Sequence, residues 1–228
     1  MSTYRPLKIT FHLDGTGVYY DPFEPPMLDA ILCIALARRQ YHGEPPARDE
    51  QPFEFVLPLK KWHARGTWGW HASTLFPEPQ AQETLVHWRK RLRQNRIEVV
   101  QGSPNLTNGV YRDWNMPLPL LLTRTLSGWC VAQTQGDSVG IAKRIRHELK
   151  RSVRWIGKKR SQGRGNVIGI EVEHTEEDGS IARDGKFTRY MPVADGVRLV
   201  RPRPPYWSNW NRTQCAEIGD VAEIGYLK

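Results

Sequence analysis

Cysteine is nearly absent from this sequence. Cys33, Cys130 and Cys215 lie far apart with no CxxC pair and no even set, which speaks against a zinc site and against a disulfide framework and fits a reducing cytoplasm. Long apolar runs are missing too. The longest, AILCIALA at 30–37, has the length of a buried helix and falls short of the roughly 18–20 residues that span a bilayer. The N-terminus, MSTYRPLKITFHLDG, alternates polar and apolar residues where a secretory leader would carry a charged start, an apolar stretch and a small-residue cleavage site, so secretion is not signalled. With 39% apolar and 25% charged residues in 228, the chain can bury a core, and disorder is not the default reading.

Acidic residues are scarce in one window. Between 143 and 164 stand ten of the 33 lysines and arginines and only one of the 24 acids, Glu148. That window carries the whole net charge of +9, and the remainder balances at 23 against 23. A single-sign patch on an otherwise neutral protein is the electrostatic footprint of a polyanion partner.

The order of elements follows from periodicity. Leu7, Ile9, Phe11 and Leu13 alternate as a half-buried strand over 7–13. After a Gly- and Pro-rich loop at 14–26, residues 27–41 read as a helix with Leu28, Ile31, Leu32, Ala35 and Leu36 on one face. Residues 53–59 alternate as a second strand, and 62–76 form a hairpin with Trp68 and Trp70 on the same side. Leu85, Trp88 and Leu92 predict a helix over 80–93, and 117–133 is extended. A helix over 138–155 places Ile141, Ile145, Leu149 and Val153 on its inner seam and Lys143, Arg144, His147, Lys150, Arg151 and Arg154 opposite. A strand follows at 166–173, and 201–211 (RPRPPYWSNWN) is polyproline-like. Without the hairpin-bearing segment the order is βαββαβ, an α+β, ferredoxin-like (RRM-like) core in a single domain spanning 1–228, with an insertion at about 62–115 and an extended tail at about 196–228. Trp88 and Trp155, near helix seams, are assigned to the core.

The segment joining the basic helix to the last strand, GKKRSQGRGNV at 157–167, concentrates the chemistry. Gly157, Gly163 and Gly165 allow close backbone approach and can turn successive N–H groups into a concavity. Lys158, Lys159, Arg160 and Arg164 surround it, with Ser161 and Gln162 between. It is not a Walker A loop, because Lys158 follows the first glycine, and it leads into a strand where a dinucleotide fingerprint must open a helix. A nucleic-acid backbone fits better than a nucleotide cofactor, and no cofactor is expected.

This loop, after a helix and before a strand, resembles the glycine-rich loop of the RAMP superfamily, the RNA-binding subunits of CRISPR effector complexes built on ferredoxin-like folds. The stretches PPMLDAILCIALARR (25–39) and GVYRDWNMPLP (109–119) resemble one branch, the Cas five family subunit that caps the 5′ handle of the guide RNA in type IV complexes. The resemblance implies a non-catalytic RNA-binding subunit that partners the guide RNA, the backbone RAMP subunits and the large subunit. It would lie near target DNA at its flanking motif, with an accessory helicase in the system and no membrane contact. Gly157 to Gly165 would press on phosphates, and Lys143, Arg144, His147 and Arg151 would extend the track. Trp68, Trp70, Tyr111, Arg112 and Trp114 are the candidates for holding splayed bases.

The alternative within the same superfamily is a metal-independent endoribonuclease that processes repeat RNA with a histidine. His12, His63, His71, His87, His147 and His174 have no partner evident in sequence, and the acids of 171–184 read as a solvated turn. No active site is expected. A basic RNA-binding protein outside CRISPR biology is the weaker third reading.

Overall fold

The computed structural model describes residues 4–40, 55–90, 114–134, 138–158, 162–206 and 208–222. Strand β1 (Tyr4–Leu13) leads to the two-residue β2 (Val18–Tyr19) and helix α1 (Leu28–Gln40). A tight hairpin, β3 (Lys61–Ala64) and β4 (Thr67–Trp70), precedes β5 (Phe76–Pro77) and the ribbon of β6 (Gln82–Lys90) and β7 (Trp114–Leu122). Then come β8 (Thr125–Gln133), helix α2 (Ser138–Ser152) and β9 (Val167–His174). Short strands β10 (Ala182–Arg183), β11 (Lys186–Phe187), β12 (Met191–Pro192), β13 (Arg198–Val200) and β14 (Thr213–Ala216) follow. The architecture is mixed α/β, with mostly antiparallel sheets and two α-helices among the described residues.

The main sheet runs β5-β8-β1-β9, with every neighbouring pair antiparallel. The alternation read in β1 fixes its faces. Leu7, Ile9, Phe11 and Leu13 are buried, while Lys8, Thr10 and His12 stand on the other side. Residues opposite one another in a ladder share a face, so Phe11 brings Leu126 and Ile170 to the buried side. Both helices cover that side. α1 supplies Leu28, Leu32 and Ala35, and α2 supplies Ile141, Ile145 and Leu149, all in one buried cluster with the strands. Each fully buried Leu or Ile contributes roughly 1.5–3 kcal/mol. The inner seam foreseen for α2 is therefore the packed one, and its cations face out.

Four expectations need correction. The helix predicted over 80–93 is instead β6, paired in unbroken register with β7 from Gln82–Leu122 to Lys90–Trp114. Val86 and Trp88 alternate with exposed Leu85, His87 and Arg89, so the period is two. The second strand expected at 53–59 is not a ladder within 55–59: only Leu59 bridges, to Ala132, and Pro58, lacking an N–H, accepts from the Gln133 amide at 2.9 Å. Residues 53 and 54 lie outside the described residues. The outer edge of β8 is covered piecewise, by Leu59, Ala72 and β5. Trp155 is 42% exposed because α2 stops at Ser152 and the chain turns to bridge Asn166. The segment from 196 onward, read as an extended tail, carries β13 and β14, which form a sheet with β12 in the order β12-β14-β13. A second small core beneath it joins Trp62, Ile181, Phe187, Met191, Ala216 and Ala222.

One buried ion pair ties distant parts of the chain together. Arg189 and Asp29 are each 0% exposed and meet at 3.3 Å. The guanidinium also donates to the carbonyls of Trp70, Ala72 (2.6 Å) and Pro202, while the Tyr206 hydroxyl donates to Asp29 Oδ1 at 2.6 Å. Burial pushes the Asp29 carboxyl up against the opposing pull of Arg189. Helix α1, the β3–β4 hairpin and the Pro-rich segment thus converge on one side chain.

Glu78 latches the β7–β8 turn. Its carboxylate accepts from the Arg124 amide at 2.7 Å and from the Thr123 and Thr125 hydroxyls at 3.2 and 3.4 Å. The Arg124 amide bond is the largest reason that its pKa lies below the ordinary value. A depressed folded pKa stabilises the fold above the unfolded value of about 4.3, and that stability is lost as pH falls through the folded value. Glu78→Gln is accordingly expected to flatten the acid limb of a urea-midpoint-versus-pH curve; a limb of unchanged steepness would show the latch to be irrelevant. No helix among the described residues is long and apolar enough to cross a membrane. The three cysteines are free and buried, and burial pushes the Cys130 and Cys215 thiols up to about 12.

Candidate nucleic-acid interface

α2 presents its cations as periodicity requires. Lys143, Arg144, Lys150 and Arg151 are exposed on the side opposite Ile141, Ile145 and Leu149, with the His147 imidazole among them, and Arg154, two residues past the helix end, is exposed as well. Arg146 is different. Its Nε donates to the Ile170 carbonyl at 3.1 Å, which fastens the helix to β9.

The glycine-rich loop leaves the end of this helix and docks on the loop between β1 and β2. The Gly165 amide donates to the Gly17 carbonyl at 2.8 Å, and the Ile156 amide to the Gly165 carbonyl at 2.9 Å. The Tyr19 hydroxyl donates to Gln162 Oε1 at 2.5 Å, Arg164 Nη1 donates to the Thr16 carbonyl, and the Thr16 hydroxyl oxygen lies 3.3 Å from the Gly163 carbonyl oxygen. Thr16 in turn donates its amide and hydroxyl to Asp14, which lowers that carboxyl below its ordinary range. The sequence pointed to the 157–165 loop but not to the 14–20 loop that seats it. The only signal there was a cluster of Asp, Gly and Thr.

The glycines divide into two roles. Gly157 (φ +89°) and Gly165 (φ +69°) face protein: a Cβ on Gly157 would lie 2.8 Å from Val18 Cγ2 and 2.9 Å from the Tyr19 carbonyl, and one on Gly165 would overlap the Ile156 carbonyl oxygen. Gly163 has open space around it. The expectation that all three press on phosphates therefore narrows to Gly163, since the other two are required by the loop's own packing. Gly165→Ala is expected to cost more than about 2 kcal/mol, a left-handed penalty of roughly 1–2 kcal/mol plus a backbone clash. Gly163→Ala should cost only the conformational part, about 1 kcal/mol. Equal urea midpoints for the two variants would contradict this division.

The loop's counter-charges are partly engaged. Lys158 pairs with Glu24 at 3.2 Å, both well exposed, so the pair is weak and exchangeable. Arg164 is turned toward Thr16. Lys159, Arg160 and Ser161 lie outside the described residues, as do Tyr111 and Arg112; Trp114 begins β7, and nothing beyond its backbone is described.

The hairpin tryptophans do not offer open faces, which corrects the stacking expectation. Trp70 is 3% exposed and sits in the main core. Trp68 packs edge-to-face on it with ring centroids 5.4 Å apart, and carries Lys61 Nζ at 4.1 Å and the Arg203 guanidinium at 4.2 Å over its own ring. On the other face of the hairpin Gly69 leaves room for its cross-strand partner Trp62, whose ring a Cβ there would overlap.

Two histidines gain partners that sequence could not show. His12 stands on the open face of the main sheet with Nε2 3.3 Å from Glu171 Oε1. His71 is buried, with Nδ1 3.1 Å from Ser180 Oγ and 3.6 Å from Asp178 Oδ2, while Ser180 Oγ donates to Asp178 at 2.5 Å. Burial acts to raise the Asp178 pKa, but hydrogen bonds from His71 and Ser180 outweigh it and hold the carboxyl low. Ser180 is 0% exposed while the Asp178 side chain is 41% exposed, and Asp178 contacts both the hydroxyl and the same ring nitrogen, so the three groups form one polar cluster. The open sheet face also carries exposed Glu171 and Glu173 beside Thr10 and Lys8. Phosphate is disfavoured there and favoured on α2 and its loop.

A continuous cationic helix face leading into a backbone-walled loop can hold a run of phosphates. Residues 5–103 match the family described as CRISPR type IV associated protein Csf3. The matched segment runs from β1 through α1 and the β3–β4 hairpin to β6 and is less than half of the chain; α2 and the glycine-rich loop lie beyond it. No curated protein matches the chain.

Proposed function

We propose that this chain is a non-catalytic RNA-binding subunit of a type IV CRISPR effector ribonucleoprotein, the Cas five-like member that caps the 5′ handle of the guide RNA. The observation that carries the reading is the one-sided cationic face of α2 running into the glycine-rich loop. The partial family match at 5–103 supports placing the chain in a type IV CRISPR system. The sheet order β5-β8-β1-β9, with α1 after β1 and α2 between β8 and β9, supports a ferredoxin-like split βαβ core. On this reading the chain also touches backbone RAMP subunits and the large subunit and helps place the complex on target DNA near its flanking motif. Base pairing by the guide supplies sequence choice, and protein contacts hold shape and backbone.

Processing of repeat RNA is the second reading, and one observation favours it: His12, on the sheet face away from the core, has its Nε2 3.3 Å from a Glu171 carboxylate oxygen. End-labelled repeat RNA from the same genome, with chelator, ultraviolet crosslinking and a denaturing gel, separates the two. A crosslinked band above intact RNA, unaltered by His12→Ala, is the expected result. A shorter product at one position that vanishes in His12→Ala would establish the nuclease instead.

A further inference from the structure

Glu24, the partner of Lys158 in the glycine-rich loop, also borders a separate groove of about 440 Å³ between the 21–27 loop and the β12-β14-β13 sheet. Phe23 stands at its rim, 64% exposed. The backbone that carries the ring is held in place. The Phe23 amide donates to Asp21 Oδ1 at 2.9 Å, its carbonyl accepts from the Tyr190 hydroxyl, and the Arg198 guanidinium carbon lies 5.8 Å from its centroid and 5.5 Å from that of Tyr190. The opposite wall is cationic. Arg198 is oriented by Glu217 at 3.4 Å, Arg201 by the Ser208 carbonyl at 2.8 Å and Asn209 Oδ1 at 2.7 Å, and Arg212 is exposed. Glu24 is the one acid among the described residues lining the groove, and it is matched by Lys158.

An exposed aromatic on an anchored loop, facing several arginines, is the combination that holds single-stranded nucleic acid, with the base on the ring and the phosphate on the guanidinium forks. We propose that this groove takes one nucleotide of single-stranded RNA adjoining the stretch held at the glycine-rich loop, its base on Phe23 and its phosphate at Arg201 and Arg212. The inference rests on the RNA-binding reading above and adds a subsite to it, on a sheet formed entirely by residues beyond 190. Continuity comes from the Lys158–Glu24 pair, which places the two surfaces side by side.

The test uses the full chain and fluorescein-labelled single-stranded repeat RNA from the same genome, with a series in which one nucleotide at a time is abasic. Phe23→Ala is expected to weaken binding on the order of tenfold with an unchanged salt slope, and Phe23→Tyr to restore it. One abasic position should weaken the wild type to a similar degree and leave Phe23→Ala no weaker than before. Arg212→Ala should lower the salt slope by about 0.7. If Phe23→Ala binds every RNA as the wild type does while Lys143→Ala/Arg144→Ala/Arg151→Ala loses affinity, the subsite is wrong and the RNA-binding reading survives. If the wild type does not bind the RNA, both fall.

Discussion

Arg189→Met is expected to destabilise the protein by about 3–5 kcal/mol, because it leaves the Asp29 carboxylate buried without its counter-ion. The carbonyls of Trp70, Ala72 and Pro202 also lose a donor. Domains of this size are stable by only about 5–15 kcal/mol, so such a loss approaches unfolding. Arg189→Lys should recover little, since a single ammonium cannot reproduce a planar fork that reaches Asp29 and separate backbone carbonyls. Arg189→Met combined with Asp29→Asn should be better than Arg189→Met alone, because the uncompensated charge is gone while the Tyr206 hydroxyl still has an oxygen to donate to. Urea midpoints by circular dichroism read all of these. A wild-type midpoint for Arg189→Met would mean that the pair does not organise the junction of α1, the hairpin and the Pro-rich segment.

The second large effect concerns RNA. Lys143→Ala/Arg144→Ala/Arg151→Ala removes three exposed cations from one face of α2 without touching the buried seam, so the urea midpoint should hold. Affinity for single-stranded repeat RNA should fall more than tenfold near physiological salt, and the log–log salt slope should shrink by about 2, near 0.7 for each lost phosphate contact. Arg146→Ala is the contrasting variant on the same helix. Its guanidinium holds the Ile170 carbonyl, so it should lower the midpoint and leave the slope nearly unchanged. An unchanged slope in the triple variant would remove the α2 track from the interface and with it the main support for the RNA-binding reading.

Much of the scaffold could be read from local pattern. The alternation of Leu7, Ile9, Phe11 and Leu13 and the spacing of Ile141, Ile145 and Leu149 each bury one face of a single element, so periodicity alone identifies β1 and α2 and sends the cations of α2 outward. The same reasoning failed at 80–93. Leu85 and Trp88 suit a helical seam, but Val86 and Trp88 suit a strand equally well, and the choice fell to β7, a pairing partner more than twenty residues away with which every residue of β6 finds an opposite. At 55–59 the missing N–H of Pro58 let extended chain lie beside β8 with only a single bridge.

The candidate interface divides in the same way. Composition located the basic patch and its glycines, since charge and φ freedom are properties of single residues. Tertiary structure decided which of them are available: Gly157 and Gly165 went to packing against Val18 and Ile156, Arg164 to Thr16, and Trp70 to the core. It also brought Phe23 within reach of Arg198, and Asp29 to Arg189 across 160 positions of sequence. Contacts of that kind depend on chain closure over long separations, which leaves no periodic trace. The sequence by itself thus determined the elements whose burial is local and the sign of the surface. Which side chains are left to meet a partner was settled only when the elements packed.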